Sequence, residues 1–220
     1  EFRRVLFRST LAAVSFLIAM TTFAADTADF YIGSYTKPGA SLGIYRGTLD
    51  LKTGAVKMQG LAGEAKSPSF LAVHPNGKYL YAAIEAGGGA VGAFAIEKDG
   101  SLRRLNEEST KGGGNCHVTV DPTGKNVFAA NYGGGSIACL PIREDGSLGP
   151  ATAFIQHTGH GADPKRQSAP HAHSIYPNGN FVLSSIAAAY SRGVPVTPSA
   201  GRTGRSTSSR CRPRPSVAGR

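Results

Sequence analysis

Five polar side chains crowd one short stretch of the chain: His157, His160, Arg166, His171 and His173. Imidazole titrates near neutrality, so histidines at this density could act as general acid and base. His171 and His173 are two residues apart, which on a strand projects both side chains from one face. The pair could also bind a metal, but a third ligand at matching spacing is not evident, so acid–base chemistry is the more economical reading and neither metal nor cofactor is called for. Arg166 carries a planar fork of donors suited to a phosphate or carboxylate on a substrate. Taken alone, a loop arginine is more often simply exposed.

Two further polar residues stand where a core would want valine. Glu85 ends an apolar run and Asn131 interrupts another. Burying either without a partner costs a few kcal/mol, so each needs an explanation. A polar strand end facing water explains either one singly as well as a site does.

The elements that carry these residues repeat. SPSFLAVHPNGKYLYAAIE at 67–85, GNCHVTVDPTGKNVFAANY at 114–132 and APHAHSIYPNGNFVLSSIA at 169–187 each read as apolar strand, Pro-x-Gly turn and apolar strand. Their turn glycines, Gly77, Gly124 and Gly179, are 47 and 55 residues apart. A second marker, LKTGAV, EKDGSL and REDGSL, places Gly54, Gly100 and Gly146 at steps of 46. Between the markers lie short Val, Ile, Phe, Tyr and Ala runs bounded by Gly, Pro, Asn and Asp, the pattern of strands and hairpins. About four strands in ~46 residues make one blade of a β-propeller. The fold class is therefore all-β, with four-stranded blades.

In the blade at 67–111, strands are expected at 70–73, 79–84, 91–96 and 102–107, and the blade from 114 to about 158 follows the same plan. Upstream, 30–36, 42–50 and 56–61 supply a second, third and fourth strand with no first, so closure would need a strand from a distant C-terminus. In each repeat a residue at the channel end of an inner strand should follow the turn: Glu85, Tyr132 and Ala187. Propeller sequence at 30–185 suffices for about three blades, whereas closed propellers have roughly 4 to 8, so the chain reads as part of a longer protein.

Composition separates this region from the ends. The formal charge is +10, yet residues 26–185 hold 14 Lys and Arg against 13 Asp and Glu. The excess sits in Arg3, Arg4 and Arg8 and in seven arginines from Arg192 to Arg220. A basic tail at 186–220 could touch nucleic-acid phosphates, but the abrupt loss of strand period reads better as out-of-frame or disordered sequence, and no nucleic-acid partner is expected. Residues 1–9 resemble translated sequencing adapter. Within 10–25, the apolar run Leu11–Met20 followed by Thr22, Phe23, Ala24 and Ala25 resembles the end of a signal peptide, which implies a periplasmic or secreted protein. That run falls short of the about 20 apolar residues that span a bilayer, so no stable membrane anchor is expected. Cys116 and Cys139 fall on the first and third strands of one blade and are expected as small apolar residues, not a disulfide.

Three strings, PSFLAVHPNGKYLYA, HVTVDPTGKNVFAANYGGGSIACLPI and DPKRQSAPHAHS, resemble consecutive blades of the lactonase family of seven-bladed propellers, the 6-phosphogluconolactonase-like group. The resemblance covers about 30–185. It implies hydrolysis of a sugar lactone, 6-phosphogluconolactone or gluconolactone, at a channel mouth that gathers Glu85, Asn131, His157, Arg166, His171 and His173. It further implies His171 or His173 as activator of water, Arg166 as substrate anchor or oxyanion stabiliser, Glu85 as orienting group, and Asn131 and His157 as substrate-binding residues. Where the family continues with Asp-Leu-Gly, this chain has Ile186 and Ala187, and the later blades' residues are absent, so this stretch by itself is expected to be inactive. A noncatalytic binding platform on the same fold and a muconate-lactonizing type of cycloisomerase are the alternatives.

Overall fold

The computed structural model describes residues 26–37, 39–178, 181–187 and 194–195. The strands form four antiparallel sheets. The first holds β1 (Thr27–Ile32), β2 (Gly43–Asp50) and β3 (Val56–Glu64). The second runs β4 (Pro68–Val73), β5 (Tyr79–Ile84), β6 (Ala90–Ile96) and β7 (Leu102–Ser109) in spatial order. The third repeats that order with β8 (Asn115–Val120), β9 (Asn126–Asn131), β10 (Ser136–Pro141) and β11 (Ala153–Gln156). The fourth begins β12 (His171–Asn178), β13 (Phe181–Ala187) and β14 (Val194–Pro195). The strands coincide with the repeat reading to within a few residues, and β1 heads its sheet where β5 and β9 stand second in theirs.

Period two explains the stacking. Along β5, Leu80, Ala82 and Ile84 turn toward the first sheet and pack with Ile44, while Tyr81 and Ala83 turn the other way and pack with Val118, Val127 and Ala129. Along β9, Val127 and Ala129 belong to that second interface, whereas Phe128 and Ala130 join Ala172, Ile175 and Val182 of the fourth sheet. Both faces of the middle sheets are thus apolar, so each is sandwiched between neighbours. The inner strands β4, β8 and β12 come side by side in consequence. The two end sheets leave Ile32, Leu42 and Leu183 about half exposed.

The turn markers act as hardware between sheets. Gly124 has φ of 69°, and a Cβ there would stand 2.5 Å from the His74 ring of the neighbouring sheet. Gly179 lies outside the described residues, as do residues 1–25 with the signal-like run and most of the tail. At the other marker, the Tyr31 hydroxyl donates to the Gly100 carbonyl and the Tyr81 hydroxyl to the Gly146 carbonyl, each at 2.9 Å. Tyr31 sits on β1 and Tyr81 on the corresponding strand β5, and each staples the outer hairpin of the next sheet. The Asp99 and Asp145 carboxylates accept from the Ser101 and Ser147 hydroxyl and amide groups, which holds both below the usual carboxylate range.

Tyr81 is fully buried, and burial pushes its hydroxyl pKa well up. Replacing Tyr81 by Phe leaves the Gly146 carbonyl without this donor. The urea midpoint of unfolding should fall by an amount equivalent to about 1–2 kcal/mol. An unchanged midpoint would show that the staple contributes nothing net.

Candidate active site

At one end of the sheets the chain leaves each second strand beside the start of an inner strand. The Glu85 amide donates to the Ser67 carbonyl at 3.3 Å and the Tyr132 amide to the Gly114 carbonyl at 2.8 Å. Thr36 and Ser67 exchange two further bonds, Thr36 N to Ser67 Oγ at 3.3 Å and Ser67 N to Thr36 Oγ1 at 3.1 Å. Glu85 and Tyr132 were expected on inner strands; they follow the second strands β5 and β9 instead, and these backbone ties bring them to the inner-strand starts. The side chain of Ala187, at the matching point of β13, is outside the described residues.

Tyr132 is the centre of the rim. Its carbonyl meets His171 Nδ1 at 2.9 Å, and its ring stacks on the His171 ring with centroids 4.5 Å apart and planes 15° apart. A carbonyl oxygen only accepts, so Nδ1 must carry the hydrogen and the neutral ring keeps its lone pair on Nε2. His173 meets the same tyrosine edge-on at 5.9 Å. The expected single strand face does not account for this convergence, because the β12 register slips between Ala172 and Ser174. His173 occupies that bulge and is exposed, while His171 is half-buried.

Glu85 lies on the neighbouring inter-sheet gap. Its Oε2 is buried and has no hydrogen-bond partner among the described residues. The Tyr35 hydroxyl bonds to this carboxylate, which raises the tyrosine pKa. The half-buried Cys116 thiol is pushed up, first by burial and then by the Glu85 charge among other groups.

The other expected residues are less close. Asn131 is fully buried, accepting from Thr110 Oγ1 at 2.8 Å and donating to Ser136 Oγ at 3.0 Å. With both ends engaged it lies directly before Tyr132 and supports the floor beneath that residue. A Cβ on Gly112 would come within 2.4 Å of the Asn131 Nδ2 atom, so this loop must lie flat on the amide. His157 follows β11, its amide bonded to the Gly135 carbonyl at 3.0 Å; its Nε2 is buried without a partner among the described residues, and burial lowers its pKa. Arg166 is exposed on a turn braced by the Gln167 amide bonding to the Asp163 carbonyl at 2.7 Å, and it makes no ion pair with any described residue. His160 is likewise exposed. Among the described residues no group of three or more His, Cys, Asp or Glu side chains is placed to hold a metal.

Sequence reasoning passed over His117. It stands on β8 where the preceding repeat has Phe70, and that switch from aromatic to imidazole between copies was the available signal. The ring is 4% exposed, 4.3 Å from the Phe70 ring and 5.0 Å from the Tyr176 ring. Its Nδ1 accepts from the Ile175 amide at 3.4 Å, and its Nε2 has no partner among the described residues. Burial, with repulsion from His173 second, takes its pKa down to about 4.

Antiparallel sheets stacked face to face around neighbouring inner strands, with polar groups gathered at one end of those strands, define part of a β-propeller. The family model for the seven-bladed β-propeller lactonases matches residues 29–186, and the chain belongs to that family. The 6-phosphogluconolactonase of Bacillus subtilis is 38% identical over 158 residues, covering 70% of this chain and 45% of the relative. A solved structure from Bacteroides fragilis superposes with a TM-score of 0.71 at 34% identity, over 80% of this chain and 50% of its own. The periplasmic gluconolactonase of Pseudomonas aeruginosa gives a TM-score of 0.71 at 25% identity, over 77% of this chain and 50% of its own. The chain thus spans about half the length of the relatives it matches.

The neutral state of His117 makes stability depend on acid. Its folded pKa of about 4 lies below the ordinary 6.5, so the unfolded chain takes up the proton first. Its contribution is complete above about pH 6.5 and is lost as pH falls toward 4, up to roughly 3 kcal/mol. Urea titrations across that range should show this fall, and His117→Phe should make it shallower by a comparable amount. Equal slopes in the two proteins would refute the assignment.

Proposed function

We propose that the full-length protein hydrolyses a sugar lactone, gluconolactone or its 6-phosphate, to the aldonic acid at the rim formed by Glu85, Tyr132, His171 and His173. The observation that carries this is the Nδ1–H bond from His171 to the Tyr132 carbonyl, which leaves Nε2 as a base at an open channel mouth. The names of the relatives, 6-phosphogluconolactonase and gluconolactonase, support the same substrate class.

A lactone is an ester, so the reaction needs an activated water and a stabilised oxyanion. His171 Nε2 takes a proton from water as the water oxygen bonds to the lactone carbonyl carbon, and negative charge moves onto the carbonyl oxygen. Collapse of this intermediate breaks the bond to the ring oxygen, which receives the proton back from the imidazolium and leaves as a hydroxyl. The new carboxylic acid then ionises. His173 shares the rim and is the second proton-transfer group. Glu85 is the orienting carboxylate of the rim, acting on a histidine or a sugar hydroxyl. Arg166 anchors the anionic part of the substrate or the oxyanion. Asn131 acts from beneath, by holding the Tyr132 loop, and His157 flanks the same loop. Residues from the rest of the propeller complete the channel.

We also place the protein in the periplasm or outside the cell, on the strength of the Leu11–Met20 run and its small-residue flank. No helix among the described residues is long and apolar enough to cross a membrane. The near balance of charge across 26–185 argues for a small-molecule partner and against nucleic acid.

Acid release by the full-length protein, followed in a pH-stat with both lactones, tests the reading. His171→Ala should lower kcat/KM at least about 100-fold. Arg166→Ala should raise KM more for the phosphorylated lactone than for the plain one. Hydrolysis that survives His171→Ala would overturn the role of the rim.

A further inference from the structure

Two adjacent residues of β8 reach across the blade gap to the part of β12 that carries His173. The His117 Nδ1 atom accepts from the Ile175 amide at 3.4 Å, and the ring sits edge-on against Tyr176, centroids 5.0 Å apart. One residue earlier, the Cys116 sulfur lies 3.6 Å from the carbonyl oxygens of both Ala172 and His173, close enough for a weak S–H donation. These contacts bracket the bulge between Ala172 and Ser174 from both sides. A bulge leaves its extra residue without a partner in its own ladder, so the direction of that side chain is set by whatever grips the flanking backbone. Here that grip comes from a different sheet.

We propose that His117, assisted by Cys116, is a positioning residue that fixes the β12 bulge and thereby aims His173 at the channel mouth. The inference rests on the hydrolytic reading of the rim given above. His117 can serve only as a neutral ring, because its Nδ1 must offer a lone pair to the Ile175 amide. Its proton is consequently on Nε2, which is buried beside the Phe70 ring. A leucine or phenylalanine would fill the space between Phe70 and Tyr176 more favourably than an imidazole with an unpartnered N–H. What an apolar side chain lacks is the acceptor for Ile175, and that acceptor is what the imidazole supplies.

The test uses the full-length protein with His117→Phe, which keeps the ring volume and loses the acceptor, and His117→Asn, whose amide oxygen falls near the place of Nδ1. In His117→Phe the kcat on gluconolactone should drop about 10-fold with KM within about twofold, while the urea midpoint at pH 7.5 stays the same or rises. In His117→Asn most of kcat should return. The His173 ring resonances, read by NMR without substrate, should shift and broaden in the Phe variant and move back in the Asn variant. Wild-type kcat with unmoved His173 resonances in His117→Phe would overturn the proposal, as would a kcat that falls only in step with folded protein. If the unmodified protein hydrolyses neither lactone, the hydrolytic reading fails by itself, and the His173 resonances still decide whether His117 aims that side chain.

Discussion

Every part of the molecule depends on the fact that its middle sheets are apolar on both faces. A strand such as β5, with Leu80, Ala82 and Ile84 on one side and Tyr81 and Ala83 on the other, cannot satisfy itself with one neighbour. Each buried Leu or Ile is worth about 1.5–3 kcal/mol against exposure, so a missing neighbour removes several such terms at once. Stacking propagates from sheet to sheet and makes the inner strands converge. It also decides where chemistry can occur. Side chains within β5 and β9 are committed to inter-sheet packing, so along these strands polar groups come free only past the ends, where Glu85 and Tyr132 are found, beside His171 at the start of β12.

The rim draws its order from the backbone more than from its own side chains. Tyr132 links three levels: its amide ties β9 to the start of β8, its carbonyl fixes the hydrogen of His171, and its predecessor Asn131 is locked between Thr110 and Ser136. The buried amide therefore reaches the imidazole through two covalent steps. Neutral hydrogen bonds in such a network gain from the low local dielectric, and the same condition makes any unpaired member costly. The loop that covers the amide has to be glycine, since a Cβ on Gly112 would also come within 2.3 Å of Ser136 Oγ.

The architecture was legible in the sequence because strand period and turn glycines are local signals that the fold repeats. Gly54, Gly100 and Gly146 all adopt positive φ at their hairpins, and the strands between them fall where the apolar runs do. The site was legible only in part. Asn131 reads as a polar interruption whether it faces a channel or a buried serine, and the difference depends on Thr110, 21 residues away just after β7. The His171 and His173 spacing indicated proximity, but a bulge, invisible to a simple alternation, produces it. His117 was hidden for the opposite reason. It sits within an apolar strand pattern, and its significance lies in the amide of Ile175, 58 residues further on in a different sheet.

The rim residues and Arg166 differ in how they are held, and on the proposed reading this bears on specificity. Glu85, His171 and His173 sit at or beside strand ends that are fixed by ladder hydrogen bonds and by neighbouring sheets. Arg166 sits on an exposed turn braced by hydrogen bonds among Gly161, Asp163, Lys165 and Gln167. Proton transfer tolerates little displacement, because the base must stay within hydrogen-bond reach of the attacking water. An anchoring charge tolerates more, since Coulomb attraction falls off gradually with distance. On the hydrolytic reading proposed above, discrimination between a phosphorylated and an unphosphorylated lactone falls to the exposed Arg166 turn, while the rim is held by the same packing that holds the blades.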